Sequence, residues 1–246
     1  MREIRVYVDS ALESGRRVTL SSHAAQHVVK VLRLRDGATL TVFDGRGGEY
    51  QATLGIAGRE AAIEVREYRA VDRESPVRLI LLQALARGER MDFVIQKATE
   101  LGVHRIIPVA AARSVVQLDA DRGDKRTHHW QAVAAAACEQ SGRNTLPIID
   151  PPLSFEAALG AVSKVECRLL LLPEATTSLA GNLTLATQAR EIALLVGPEG
   201  GLEETEVERA LEVGFRATRL GPRVLRTETA GIAALSALQC LAGDFA

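Results

Sequence analysis

The sequence lacks the features that announce several large classes of protein. No apolar run in its 246 residues approaches the roughly 20 needed to span a bilayer, and the opening MREIRVYVDS has no signal-peptide core. A cytoplasmic location with no membrane partner is therefore the default expectation. Cysteine is scarce: Cys138, Cys167 and Cys240 are odd in number, far apart and set in apolar runs. That excludes a disulfide framework, predicts free thiols, and gives no metal-ligand spacing. Charge of one sign is not in excess, since 30 Lys and Arg face 31 Asp and Glu for a net charge of −1, so the whole-chain balance carries no nucleic-acid signal. There is no internal repeat, and no low-complexity segment beyond the alanines at 134–137. No Lys-Ser/Thr follows the glycines of GPEGG, which excludes a P-loop, and no G-x-G follows the apolar run at 77–85, which argues against a Rossmann-type site.

A folded chain is what remains, because 47% hydrophobic residues can build a real core at this length. The first 70 or so residues read as short strands around one helix: IRVYV alternates, SSHAAQHVVKVL has helical spacing with Ser21 or Ser22 as cap, and ATLTVFDGRGGEYQATL is a hairpin turning at 44–48. This describes a small β-barrel-like module. After DRESP the texture changes to alternating strands and helices, which predicts an α/β domain with a mostly parallel sheet. Strands are expected at 77–85, 103–111, 165–173, 190–198 and 215–222, with helices at 89–102, 125–142, 202–214 and 227–242. The division falls at 1–72 and 73–246.

Three strand ends in the second part look alike: LLLLPEA, LLVGPEGG and RLGPRVLRTETA. If their strands are neighbours, the three loops line one crevice whose backbone N–H and C=O groups can read a flat heterocycle. Taken singly, each is an ordinary strand-to-helix turn. Glu203, Glu204 and Glu206 would repel an anion at the next helix, so the ligand is neutral or cationic. Arg223 and Arg226 lie where a helix begins, a place that disfavours cations, with Thr227 as cap and Glu228 complementing the dipole. Such a conflict of local rules marks a candidate site. A second cluster, CEQSGRN at 138–144, ends a helix with Gly142 as its C′ residue and crowds Glu139, Gln140, Ser141, Arg143 and Asn144 together. His128-His129 reads as surface, Lys97 with Asp92 and Glu100 as a salt-bridged face, and neither Ser141 nor Ser236 has a neighbouring histidine in sequence. Residues 14–35 hold Arg16, Arg17, Lys30, Arg33 and Arg35 without one acid. They form either an RNA-binding patch or a solvated face.

Four stretches in order, QKATELGV, EQSGR, LLVGPEGGL and LGPRVLRTETA, resemble the ribosomal RNA small subunit methyltransferase E family of the SPOUT superfamily. HVVKVLRLRDGATLTVFDGRGGEY is similar to that family's PUA-like RNA-binding domain, so the resemblance covers almost the whole chain. It implies a trefoil-knotted, mostly parallel sheet flanked by helices, with the PUA-like domain before it. It also implies S-adenosylmethionine as methyl donor, held by Leu172, Pro173, Val196, Gly197, Pro198, Glu199, Gly200, Gly201, Leu220, Gly221, Val224, Leu225, Thr229 and Ala230. The implied reaction is methylation at N3 of one uridine in 16S ribosomal RNA, free or in an assembled or assembling 30S particle. N3–H must lose its proton, which suits Arg226 or Arg143 as stabilisers of the anion and Glu139 or Glu228 as proton acceptor or as holder of an arginine. Arg16, Arg17, Lys30, Arg33 and Arg35 would grip the RNA, and a homodimer is implied.

Two other readings remain at this stage. One keeps the methyl donor and changes the target to another base or a ribose hydroxyl. The other makes the chain an RNA-binding or ribosome-assembly factor with a decayed pocket, against which stands the intactness of the glycines and arginines.

Overall fold

The computed structural model of the protein describes residues 4–58, 60–114 and 120–245. Two compact units emerge: Met1–Glu74 together with Ala135–Leu146, and Ser75–Ala134 together with Pro147–Ala246.

The first unit contains β1 (Arg5–Tyr7), β2 (Arg17–Thr19), the short helix α1 (Ser22–Gln26), β3 (Thr39–Phe43), β4 (Glu49–Ala57) and β5 (Glu60–Arg69). They form one five-stranded sheet ordered β1-β3-β4-β5-β2, antiparallel except where β1 runs parallel to β3. Alternate residues such as Leu40 and Val42, Ala52 and Leu54, and Ile63 and Val65 point to one core with Val6 and Val28. Each leucine, valine or isoleucine among them contributes about 1.5–3 kcal/mol on burial. The hairpin turns where expected, with Asp44 accepting the N–H groups of Arg46 and Leu12. Ser21 caps α1 by accepting from the Ala24 N–H at 3.2 Å. The helix differs from the expectation beyond Gln26, where residues His27–Val31 form a π-helical turn over the β-branched Val28, Val29 and Val31.

The second unit contains β6 (Arg78–Ala84), α2 (Glu89–Glu100), β7 (Arg105–Ala110), α3 (Ala120–Ser141), β8 (Ile148–Ile149), β9 (Leu153–Ser154), α4 (Phe155–Ala161), β10 (Cys167–Leu171), α5 (Leu183–Gln188), β11 (Glu191–Val196), α6 (Glu204–Glu212), β12 (Arg216–Thr218) and α7 (Thr227–Ala242). The C-terminal part of α3, from Ala135, counts with the first unit. The sheet is parallel throughout, ordered β12-β10-β11-β6-β7-β8 with β9 also on β7. Both faces are buried, as parallel sheets require. Leu79, Leu81, Leu169, Leu194 and Val196 face α2 and α7, while Ile80, Leu82, Leu170, Ala193 and Leu195 face α4 and α6. Pro108 offers no N–H to the ladder and sits where β8 ends and β9 has yet to begin. Gln239 closes the C-terminal helix onto the rest, donating to Leu101 O at 2.7 Å and accepting from the Ser75 hydroxyl at 2.8 Å. The mostly parallel sheet flanked by helices, and the separate N-terminal sheet, match the architecture implied by the resemblance.

Candidate functional site

Register brings the three look-alike loops together. β10 lies between β11 and β12, with Leu170 opposite both Leu195 and Ala217, and Leu171 opposite Thr218. The three strands therefore end level, at Leu171, Val196 and Thr218. The loops that leave them line one cavity of about 1070 Å³ within the second unit. Its walls combine apolar side chains such as Leu172, Leu202 and Leu225 with the glycine and proline backbone of 197–201, the mixture expected of a site for a small organic ligand.

The loop after β11 is a tight turn. The Gly201 N–H donates to Pro198 O at 2.9 Å, and Gly201 takes φ +71°, a conformation an L side chain adopts only with strain. Gly197 is needed for a different reason: a Cβ there would lie 3.1 Å from Leu202 Cγ. Glu199 accepts from Arg90 Nη1 at 2.7 Å and from the Arg87 N–H, tying the start of α2 to this loop. Burial raises the Glu199 carboxyl, but these hydrogen bonds and its own backbone N–H outweigh that and hold it below the usual carboxylate value. Arg113, after β7, donates to Gly200 O at 3.2 Å. The acids that follow are already engaged, because Glu203 and Glu206 form a capping box at the start of α6 and Glu206 also accepts the Ala112 N–H at 2.8 Å.

At the loop after β12, Arg226 is the N-cap residue of α7, exposed and without a side-chain cap bond. Thr227 does not cap the helix as expected. It is the first helical residue, and its hydroxyl donates across to Gly197 O at 2.6 Å while accepting from Gln83 Nε2 at 2.8 Å.

Of the expected cofactor residues, all but Thr229 line the cavity. Thr229 is exposed, because on α7 it turns away from the side that Thr227 and Ala230 present. Val224 lines the cavity although the residue is 80% exposed. Arg226 lines it as well, whereas Glu228 stands beside it, with Oε1 4.0 Å from Arg90 Nε and a buried Oε2 that has no partner among the described residues. Arg143 and Glu139 are not among its lining residues. They belong to the first unit, where Arg143 is 4% exposed and donates to both oxygens of Glu74, and Glu139 accepts the Tyr7 N–H at 2.9 Å. Arg90, Arg113, Glu174 and Glu204 line the cavity unforeseen. Arg90 and Arg113 follow β6 and β7, and only the position of those strands in the sheet marks them as candidates.

Arg16, Arg17, Lys30, Arg33 and Arg35 are all exposed on the first unit. Arg16 pairs with Glu13 at 2.9 Å, and Arg33 has φ +53°, an unusual value for a residue with a side chain. Burial pushes the Cys138 thiol up to about 12 and the Cys167 thiol to about 11, so both are unreactive, and none of the three cysteines is bonded to another. His129 meets Asp92 at 2.7 Å and Lys97 meets Glu100 at 2.8 Å. Among the described residues no group of three or more His, Cys, Asp or Glu is placed to hold a metal, and no helix is long and apolar enough to cross a membrane.

Comparison with known proteins agrees with this layout. Residues 73–239 match the RNA methyltransferase domain family and residues 20–65 the RNA methyltransferase PUA domain family. The ribosomal RNA small subunit methyltransferase E of Bacillus subtilis is 32% identical over 243 residues, covering 95% of both chains. Among solved structures, a putative methyltransferase from Legionella pneumophila in complex with its cofactor SAM is similar with a TM-score of 0.94, at 37% identity over all of both chains. The Neisseria gonorrhoeae ribosomal RNA small subunit methyltransferase E, bound to S-adenosyl methionine, is similar with a TM-score of 0.90, at 38% identity over all of both chains. With both domains matched and relatives of this identity spanning its length, the chain belongs to the ribosomal RNA small subunit methyltransferase E family.

Proposed function

We propose that the protein transfers a methyl group from S-adenosylmethionine to N3 of a specific uridine in 16S ribosomal RNA. The observation that carries this reading is the cavity on three level strand ends, in a chain similar over its whole length to two proteins solved with that cofactor. Apolar side chains and free backbone groups suit the adenosine, and nearby carboxylates suit a sulfonium cation.

In the reaction the uridine N3 attacks the methyl carbon, the C–S bond breaks, and S-adenosylhomocysteine leaves. The N3 proton must go to a base. Arg226, exposed on the cavity and engaged by no cap bond, is the cation we assign to the developing uridine anion. We prefer it to Arg143, whose guanidinium is already committed to Glu74. Glu228 is the preferred proton acceptor or arginine partner, since its Oε2 is unoccupied among the described residues, whereas Glu139 already holds the Tyr7 N–H.

The first unit, close to the expected 1–72 domain, would grip RNA through Arg16, Arg17, Lys30, Arg33 and Arg35, with the rest of the chain carrying the chemistry. The substrate is free RNA or an assembled or assembling small subunit, in the cytoplasm. Pairing of two chains would use α7, whose half-buried Ala233 and Ser236 offer a small-residue face. Calorimetric titration with S-adenosylmethionine, followed by methyl transfer to small-subunit against large-subunit RNA, tests the reading. Binding with transfer to the small-subunit RNA alone is expected; absence of cofactor binding would overturn it.

A further inference from the structure

We infer that Gln83 and Thr227 are positioning residues for methyl transfer, acting through a buried hydrogen-bond chain that fixes the cofactor loop and the base of Arg226 together. The inference rests on the proposed reading of the cavity and names residues that reading does not use. Gln83 lies on β6 opposite Val196, level with the strand ends that open into the cavity, and is fully buried. Its side chain points to the α7 face, as the alternation of Leu79 and Leu81 requires. There Nε2 donates to Thr227 Oγ1 at 2.8 Å and to Ala84 O at 3.2 Å.

The chain has a fixed direction. An amide nitrogen only donates, so it occupies a lone pair of the Thr227 hydroxyl and leaves the hydroxyl hydrogen for Gly197 O, 2.6 Å away. Gly197 lines the cavity, and Thr227 follows the N-cap residue Arg226 directly. One hydroxyl, on a residue only 6% exposed, thus sets both the carbonyl at the end of β11 and the point where the backbone turns from extended at Arg226 into helix. Gly231 on the next turn of α7 keeps this contact close, since a Cβ there would come within 3.2 Å of Gln83 Oε1. A hydroxyl and an amide in an otherwise leucine-rich layer cost desolvation, which an apolar pair of equal volume would not. Placement of the two catalytic loops is the gain that offsets it.

The test compares Thr227→Val, which keeps the shape and loses the hydroxyl, with Thr227→Ser, which keeps the hydroxyl, and Gln83→Met. S-adenosylmethionine affinity is read by calorimetry and the single-turnover methylation rate at saturating cofactor, both well below the melting temperature of each variant. Thr227→Val and Gln83→Met are expected to weaken cofactor binding about tenfold and slow the saturated rate by a similar factor, and Thr227→Ser to recover most of both. Arg226→Ala, by contrast, slows the rate alone. If Thr227→Val lowers only the melting temperature, with affinity and rate as in the wild type, the chain is structural and the inference fails while the cofactor reading stands. If the wild type itself binds no S-adenosylmethionine, the reading falls and the inference with it.

Discussion

Gly197 and Leu202 approach so closely that a Cβ on the glycine would sit 3.1 Å from Leu202 Cγ and 3.4 Å from the Leu202 nitrogen. The Leu202 side chain would have to give by a few tenths of an ångström, so Gly197→Ala is expected to shift the 197–201 turn and weaken S-adenosylmethionine binding by about tenfold or more. Gly201→Ala meets no neighbour but must hold φ +71°, at a cost of about 1–2 kcal/mol. Calorimetry and urea unfolding together check the pair: affinity should fall more for position 197, and position 201 should lose stability by the stated amount.

Arg5 and Glu49 form a second testable pair, 2.6 Å apart with side chains only 7% and 4% exposed. Burial raises the Glu49 carboxyl, but hydrogen bonds from Arg5, Arg73 and Asn144 and the Arg5 charge prevail and hold it below its ordinary value of 4.5. A depressed carboxyl contributes stability that is full above its unfolded pKa and is lost as pH falls through the folded one. Glu49→Gln should cost about 3–5 kcal/mol at pH 7, because it strands a buried guanidinium. Urea unfolding from pH 7 down to pH 3 should show the gap between wild type and variant closing as the medium becomes more acid. A gap independent of pH would remove the ion pair from the account.

Arg33 and Arg35 are exposed on the strand-rich unit, and Arg33 holds a positive φ just beyond the π-helical turn. Replacing both with alanine should weaken RNA binding and flatten its salt dependence by about 1.5 in the slope of log K against log salt, as two phosphate contacts require. Cofactor affinity should not move. Filter binding across a salt series reads this, and an unchanged slope would take the RNA-gripping role away from these residues.

The three loops that line the cavity were legible because glycine and proline follow apolar runs, a local pattern that survives without knowledge of the fold. The opposite wall was not, since Arg90 and Arg113 come from the segments after β6 and β7 and join the cavity only through sheet order. Thr227 shows the limit of capping rules: its hydroxyl serves Gly197, 30 residues away, rather than its own helix. The polar crowding at 138–144 has partners in the structure that the sequence does not show. Its partners Glu74 and Tyr7 lie 69 and 132 positions from Arg143 and Glu139, a distance that no sequence period encodes. Helix α4 has a readable start, since Ser154 accepts from the Ala157 N–H, but seven residues give too short a period to stand out. β8 and β9, at two residues each, carry no pattern at all.

Arg226 occupies a helix N-terminus, where a cation costs from about 0.3 to 1 kcal/mol, and it makes no cap bond in return. Arg226→Ala should lower single-turnover methylation about a hundredfold or more, the loss expected for one preorganised stabilising donor. Cofactor affinity should barely change and the melting temperature should not fall. Loss of binding together with activity would make Arg226 a cofactor residue.

The most direct measurement of the whole account is nucleoside mass spectrometry of small-subunit ribosomal RNA from cells lacking the gene, before and after incubation with the protein and S-adenosylmethionine. The account predicts that one uridine gains one methyl group, at N3, and that Arg226→Ala protein restores little of it. Methyl groups on another base or on a ribose, or RNA left unchanged by a protein that binds the cofactor, would contradict it.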